Sequence, residues 1–367
     1  MTVATSALGR DLQLVHAAQW LYSVNGEPFV PGDGDPYAGL VRGFDEDPAP
    51  FHAALAERGP LWRSRLGHWV AGPAALPALL GRPDLVVAAA VPQPEPWLPA
   101  PDRQRTTVAR DLAHRGGRGA LRAAAAPLRR LVTATAAGIA PGPADLIGAV
   151  AAPLAAAGYA ALLGVEDDRR AAFAAAVTDT APCVDALLCP QTLAVTGRAA
   201  AGVRALRGLL APTGDAETRL VLAVAGPRAA TDLLGETLLG LLDRPGEWTR
   251  LGTDPAYATS AVRAAVPPQG PWHLHPLTAL APLEAAGVRI EAGDHVTLVP
   301  GPGAAAPAPY ARLLLPGARA VAAEALRLLA ARFPHLRPDG APVRARRAPV
   351  TRRLVRLPAL LGEEETR

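Results

Sequence analysis

Ala216-Glu-Thr-Arg-Leu-Val-Leu-Ala-Val-Ala-Gly-Pro-Arg-Ala-Ala-Thr-Asp-Leu-Leu-Gly-Glu-Thr-Leu-Leu-Gly-Leu-Leu242 is a long stretch dominated by Leu and Ala, residues that favour helix, and it predicts one long central helix. The segments around it read the same way. Asp102 to Leu112, Ala120 to Ala137, Asp145 to Gly164, Asp167 to Asp179 and Pro190 to Leu210 precede it; Ala256 to Ala265 and Arg319 to Phe333 follow. Further out, Leu61 to Val70 alternates as a strand pair would, and Val288 to Val299 reads as a hairpin around Glu291-Ala-Gly-Asp294. Toward the N-terminus, Leu12 to Tyr22 has helical apolar spacing, a Gly, Pro and Asp-rich loop runs from Asn25 to Tyr37, and Phe51 to Arg58 reads as a short helix. Pro92 to Pro101 holds five prolines and cannot sustain a helix. The expected class is mainly α with a minor β-sheet, in a single domain over residues 1 to 367.

Composition bounds the function. Half of the 367 residues are hydrophobic but only 4% are aromatic, so Ala, Leu and Val must fill the core. The chain has no lysine, and a net charge of +4 is small for its length despite a pI near 9.6, so nucleic-acid binding is not expected. Leu146 to Val165 is uncharged and long enough to span a bilayer, but it is mostly Ala and Gly with Pro153 inside; a buried helix is expected, not a membrane span. The first residues carry Arg10 and Asp11 and show no secretory signal, which makes the cytoplasm the expected compartment. Cys183 and Cys189 fit neither a redox pair nor a zinc knuckle and are expected to be buried thiols.

The signals for chemistry are weak. His273 and His275 could share a strand face with His295 nearby, but no carboxylate or cysteine is placed to strengthen a metal site. Asp167-Asp-Arg-Arg170 opens a helix, where acids suit the dipole, and Asp45-Glu-Asp47 sits in a turn. Gly301-Pro-Gly303 lacks the lysine and helix of a phosphate loop, and the six arginines from Arg344 to Arg356 read as a structural strand region.

Several segments, in this order, resemble the bacterial cytochrome P-450 enzymes, from Leu12 to Pro358. Asp145-Leu-Ile-Gly-Ala-Val-Ala-Ala-Pro153 through Leu162-Leu-Gly-Val165 resembles the helix that crosses that fold. Val221-Leu-Ala-Val-Ala-Gly226 resembles its central helix, Gly287-Val-Arg-Ile-Glu-Ala-Gly-Asp294 its hairpin, Ala330-Ala-Arg-Phe-Pro-His-Leu336 the end of its last long helix and Leu357-Pro358 its closing strand. The departures fall on the positions oxygenase chemistry needs. The resemblance puts the haem-ligating thiolate near Arg312, which cannot ligate iron. Ala229 and Ala230 follow Gly226 where the proton-relay pair belongs, with Thr231 one place late. Ala261 to Pro268 lacks the Glu-x-x-Arg pair, and the propionate-binding arginine is replaced by Leu277. A P-450-like fold with no haem, and no oxygenase activity, is what these departures imply.

Within that family, two segments resemble the haem-less activators of glycosyltransferases that attach nucleotide-activated deoxysugars to polyketide-type products. The first is Gln19-Trp-Leu-Tyr-Ser-Val-Asn-Gly26 with Gly34-Asp-Pro-Tyr-Ala-Gly-Leu-Val-Arg-Gly43 and Asp45-Glu-Asp-Pro48, interrupted here by Glu27 to Asp33. The second is Val184-Asp-Ala-Leu-Leu-Cys-Pro-Gln-Thr-Leu-Ala-Val-Thr196. The resemblance implies a non-catalytic protein with no cofactor that forms a hetero-oligomer with its cognate glycosyltransferase, and it makes residues 1 to 48 the candidate partner-binding segment. Trp20, Tyr22, Asn25, Gly26, Asp35, Pro36, Tyr37, Pro190 and Gln191 are the candidate contact residues. The competing reading is an isomerase of nucleotide-linked keto-deoxysugars that reuses the haem cavity; its base would have to come from Asp232 or Glu236.

Overall fold

The computed structural model describes residues 3–23, 34–44, 47–104, 118–211, 215–254, 256–265, 272–300 and 311–362. The N-terminal part contributes α1 (Val3–Ser23), α2 (Pro36–Arg42) and α3 (Ala49–Glu57). The helical body consists of α4 (Arg118–Ala137), α5 (Ala152–Leu162), α6 (Arg170–Thr180), α7 (Leu193–Leu210), α8 (Ala216–Leu242), α9 (Pro245–Thr253), α10 (Tyr257–Ala265) and α11 (Ala311–Arg332). The quoted stretch is α8, with the bounds its sequence marks. It is buried almost all round, as an element with apolar residues on every face must be, and it packs on α11, α5, α7 and α10.

Small residues let these helices approach. A Cβ at Gly226 of α8 would overlap the ring of Tyr159 on α5, and one at Gly158 would lie 2.6 Å from the methyl carbons of Val321 on α11. Tyr159, almost fully buried, donates its hydroxyl to the Leu314 carbonyl of α11 (3.4 Å), and burial raises its pKa. Three helices thus meet at one phenol. One apolar core runs from this junction to the sheets.

The main sheet has the order β1 (Leu61–Arg63), β2 (Trp69–Ala71), β8 (His295–Leu298), β5 (His275–Ala279), β3 (Leu85–Val87), and only the β2–β8 pair is parallel. The strand pair expected in Leu61 to Val70 is β1–β2. The hairpin expected over Val288 to Val299 is not formed. β7 (Val288–Ile290) pairs with β6 (Leu283–Ala285) through a turn in which Ala286 and Gly287 both have positive φ, while β8 crosses to β2 and β5. The Ala-Gly turn outcompetes Ala-Gly-Asp because β8 carries the buried Val296, Thr297 and Leu298 and belongs to the larger sheet.

β4 (Gly142–Asp145) pairs with β12 (Pro358–Leu361), which also pairs with β9 (Arg337–Pro338). β10 (Val343–Arg344) pairs with β11 (Leu354–Arg356). Asp145 accepts from the amides of Ile147, Gly148 and Leu357, so it caps the π-helical turn before α5 and ties that turn to the closing strand. α11 starts eight residues before the expected Arg319, because Leu314, Leu315 and Ala318 need the core and the helix carries Pro316 within it. No helix among the described residues is long and apolar enough to cross a membrane.

Gly226→Ala is expected to destabilise the protein by about 2–4 kcal/mol, because the added methyl meets a ring held on all sides; urea unfolding measures it. A second expectation concerns pH. Burial holds the imidazoles of His68 and His273 at about 4 and that of His275 at about 3. These folded values lie below the ordinary 6.5, so the unfolded chain binds more protons and stability falls as pH drops from 6.5 toward 4. Asp232, raised by burial to about 6, acts in the opposite sense, so the histidine share is isolated by a variant. His275→Leu should flatten the pH dependence of unfolding free energy between pH 6 and 4 by about 1 kcal/mol per pH unit.

Candidate partner-docking surface

α1 lies on the body with two different apolar faces. Its inner face seats Leu12 and Gln19, and the Gln19 amide donates to the Leu188 carbonyl (2.7 Å). Its outer face carries Leu14, Trp20 and Leu21, which are 62%, 40% and 66% exposed. Leu14 and Leu21, seven apart, lie on one side of the helix two turns from each other. Trp20 is held in place: its Nε1 donates to His16 Nε2 (3.1 Å), its ring meets Phe44 edge-on, and the Arg42 guanidinium lies 4.5 Å from its centre.

The segment before α7 is fixed from within by Asp185. This carboxylate has no exposed surface and accepts from the Val350 amide (3.0 Å), the Thr351 amide (2.9 Å) and the Thr351 hydroxyl (2.8 Å), with Arg353 at 3.5 Å. Desolvation raises its pKa, and the guanidinium of Arg353 and the Thr351 bonds oppose that rise. On α8, Arg228 and Asp232 form a buried two-point ion pair four residues apart. Arg347 joins this segment to α1: it donates to the Pro190 carbonyl (3.0 Å), lies 3.3 Å from His16 and accepts from Gln191 at its carbonyl (2.9 Å). Burial and the Arg347 charge both lower the His16 pKa.

The candidate contact residues therefore divide. Trp20 is exposed and Tyr22 half-buried. Asn25 and Gly26, with the Glu27 to Asp33 interruption, lie outside the described residues. Asp35, Pro36 and Tyr37 are interior, a correction to their assignment as contacts. Asp35 caps α2 and accepts from the Ser64 hydroxyl and the Arg65 amide (both 2.6 Å), while the Tyr37 hydroxyl bonds Thr297 (2.6 Å) and His68 (2.9 Å). Pro190 and Gln191 are buried too, and they precede α7 instead of starting it; Thr192 is the cap. The exposure of Leu14 and Leu21 was not legible in the sequence, because an apolar residue at helical spacing reads the same whether its face is turned in or out.

The P-450 fold implies a haem held by a thiolate, and the donor set does not fit one. Cys183 and Cys189 are both buried between α6 and α7, burial pushes the Cys183 thiol to about 12 and the Cys189 thiol up as well, and the Cys189 sulfur donates to the Arg42 carbonyl. Arg312 stands in the first turn of α11. Leu277 is buried in β5, and the Thr231 hydroxyl donates to the Pro227 carbonyl of its own helix (2.8 Å). His295 faces Thr278 across β5 and not His275, and no group of three metal-ligating side chains occurs among the described residues.

No protein-family model matches the chain. Protein DesVIII of Streptomyces venezuelae is 33% identical over 392 residues, covering 95% of this chain and 92% of its own. Protein TylM3 of Streptomyces fradiae is 32% identical, covering 96% and 93%. Among solved structures, the open cytochrome P-450 EryK from S. erythraea superposes with a TM-score of 0.67 over 89% of this chain and 99% of that one, at 19% identity, a likeness of fold. By full-length similarity to DesVIII and TylM3, on a cytochrome P-450 scaffold, the chain belongs to the family of P-450-like glycosyltransferase activators.

Proposed function

We propose that this protein is a non-catalytic activator that binds a cognate glycosyltransferase in a hetero-oligomer and stabilises its active conformation, the transferase attaching a nucleotide-activated deoxysugar to a polyketide-type acceptor. The observation that carries the reading is the outer face of α1. Leu14, Trp20 and Leu21 are turned to solvent on a helix bolted to the body through Gln19 and Arg347, and an exposed apolar set on a rigid support suits protein docking. Activation is then a population shift: preference for the competent conformer by about 2.7 kcal/mol raises its weight roughly a hundredfold. The protein works in the cytoplasm beside its transferase and carries no haem.

The isomerase reading has less support. Asp232 is paired with Arg228 in the interior, and Glu236 is ion-paired with Arg344 at 2.6 Å, so neither acid named for the role is held ready to take a proton from a sugar carbon.

The purified transferase, assayed with and without this protein, should show a large increase in initial rate of glycosyl transfer, and the purified protein should show no Soret band. A transferase fully active alone and unchanged by addition overturns the reading. Leu21→Asp should leave unfolding free energy within about 0.5 kcal/mol, because Leu21 is exposed, and should weaken transferase binding about tenfold or more in a co-sedimentation titration.

A further inference from the structure

An open pocket of about 500 Å³ is lined by the chain leaving β3, the proline-rich stretch 92–101, Gln104 and Leu187. That volume is in the range of small-molecule sites. Its walls include Val87, Ala89, Trp97 and Leu98, and none of the described side chains lining it carries a charge. A nucleotide sugar carries a diphosphate that cationic side chains would meet, and the described walls offer none. An uncharged apolar molecule meets no such demand.

One polar group is placed for such a guest. The amides of Ala88 and Ala90 donate to the carbonyls of Pro276 (3.3 Å) and Leu187 (2.8 Å), while the Ala89 amide between them bonds no described group. A carbonyl oxygen on the guest would satisfy it. The wall also communicates with the docking side. Gln93 donates to the Ala186 carbonyl (2.9 Å) and Ala90 to that of Leu187, next to the Leu188 carbonyl that receives Gln19 of α1.

We propose that this pocket binds an uncharged, largely apolar molecule bearing a lactone or ketone oxygen, and, resting on the activator reading, that it takes the acceptor of the transferase and not its sugar donor.

The test is a fluorescence titration of the full chain with Nile red, a neutral apolar dye with a ring carbonyl. Saturable binding at one dye per chain is expected, with displacement by ω-pentadecalactone and none by UDP-glucose. Ala89→Phe, which fills the cavity, and Leu98→Arg, which puts a charge on a half-exposed wall, should each weaken binding about tenfold or more while circular dichroism reports an intact fold. Dye uptake that does not saturate, equal affinity in whichever variant folds, or displacement by UDP-glucose overturns the proposal. Its failure is separable from failure of the activator reading: a chain that accelerates its transferase but holds no dye loses only the pocket, and one that holds dye but accelerates nothing loses the activator role and the acceptor identity.

Discussion

The Asp185 carboxylate is the interaction on which the arrangement of this surface depends. A charge with no exposed surface is tolerated only when its lone pairs are met, and here three hydrogen bonds from residues 350–351 and the Arg353 guanidinium meet them. Those partners come from the far end of the sequence, so the carboxylate welds the segment ahead of α7 to the turn before β11. Everything outward of that weld inherits its position: Leu188 accepts from Gln19, Arg347 reaches Pro190 and His16, and α1 is set down with Leu14 and Leu21 turned to solvent. Removing one member of such a buried set costs more than the pair contributes, because the remainder is left charged and dry.

The scaffold has the cytochrome P-450 fold, and residues at the positions that the resemblance assigns to oxygenase chemistry make structural contacts here. Thr231 back-bonds within α8, Asp232 neutralises Arg228, and Leu277 fills core space in β5. Three helices also meet at Tyr159. The glycines at positions 158 and 226 show how tightly α5, α8 and α11 are set.

The helical frame was legible in the sequence because it rests on long periodic runs. α8 carries its bounds in its own composition, and β1 and β2 in their alternation. The hairpin error at Val288 to Val299 arose where two glycine turns compete and only the tertiary partner of β8 decides between them. Asp35 and Tyr37 read as loop residues beside a polar stretch, yet both are interior, because a short helix needs a cap and a buried phenol needs partners that lie far along the chain: Ser64, His68 and Thr297. The outward face of α1 was the least legible part. Nothing in Leu12, Leu14, Gln19 and Leu21 says which of them faces water until Leu188 is in place to receive Gln19.

The two thiols give that weld a clock. Both flank Asp185 in the chain, and both are held undissociated at neutral pH by burial, so alkylating reagents cannot attack them while the segment is seated. The slowness of their labelling relative to a free thiol then measures how rarely residues 183–189 lift from the body.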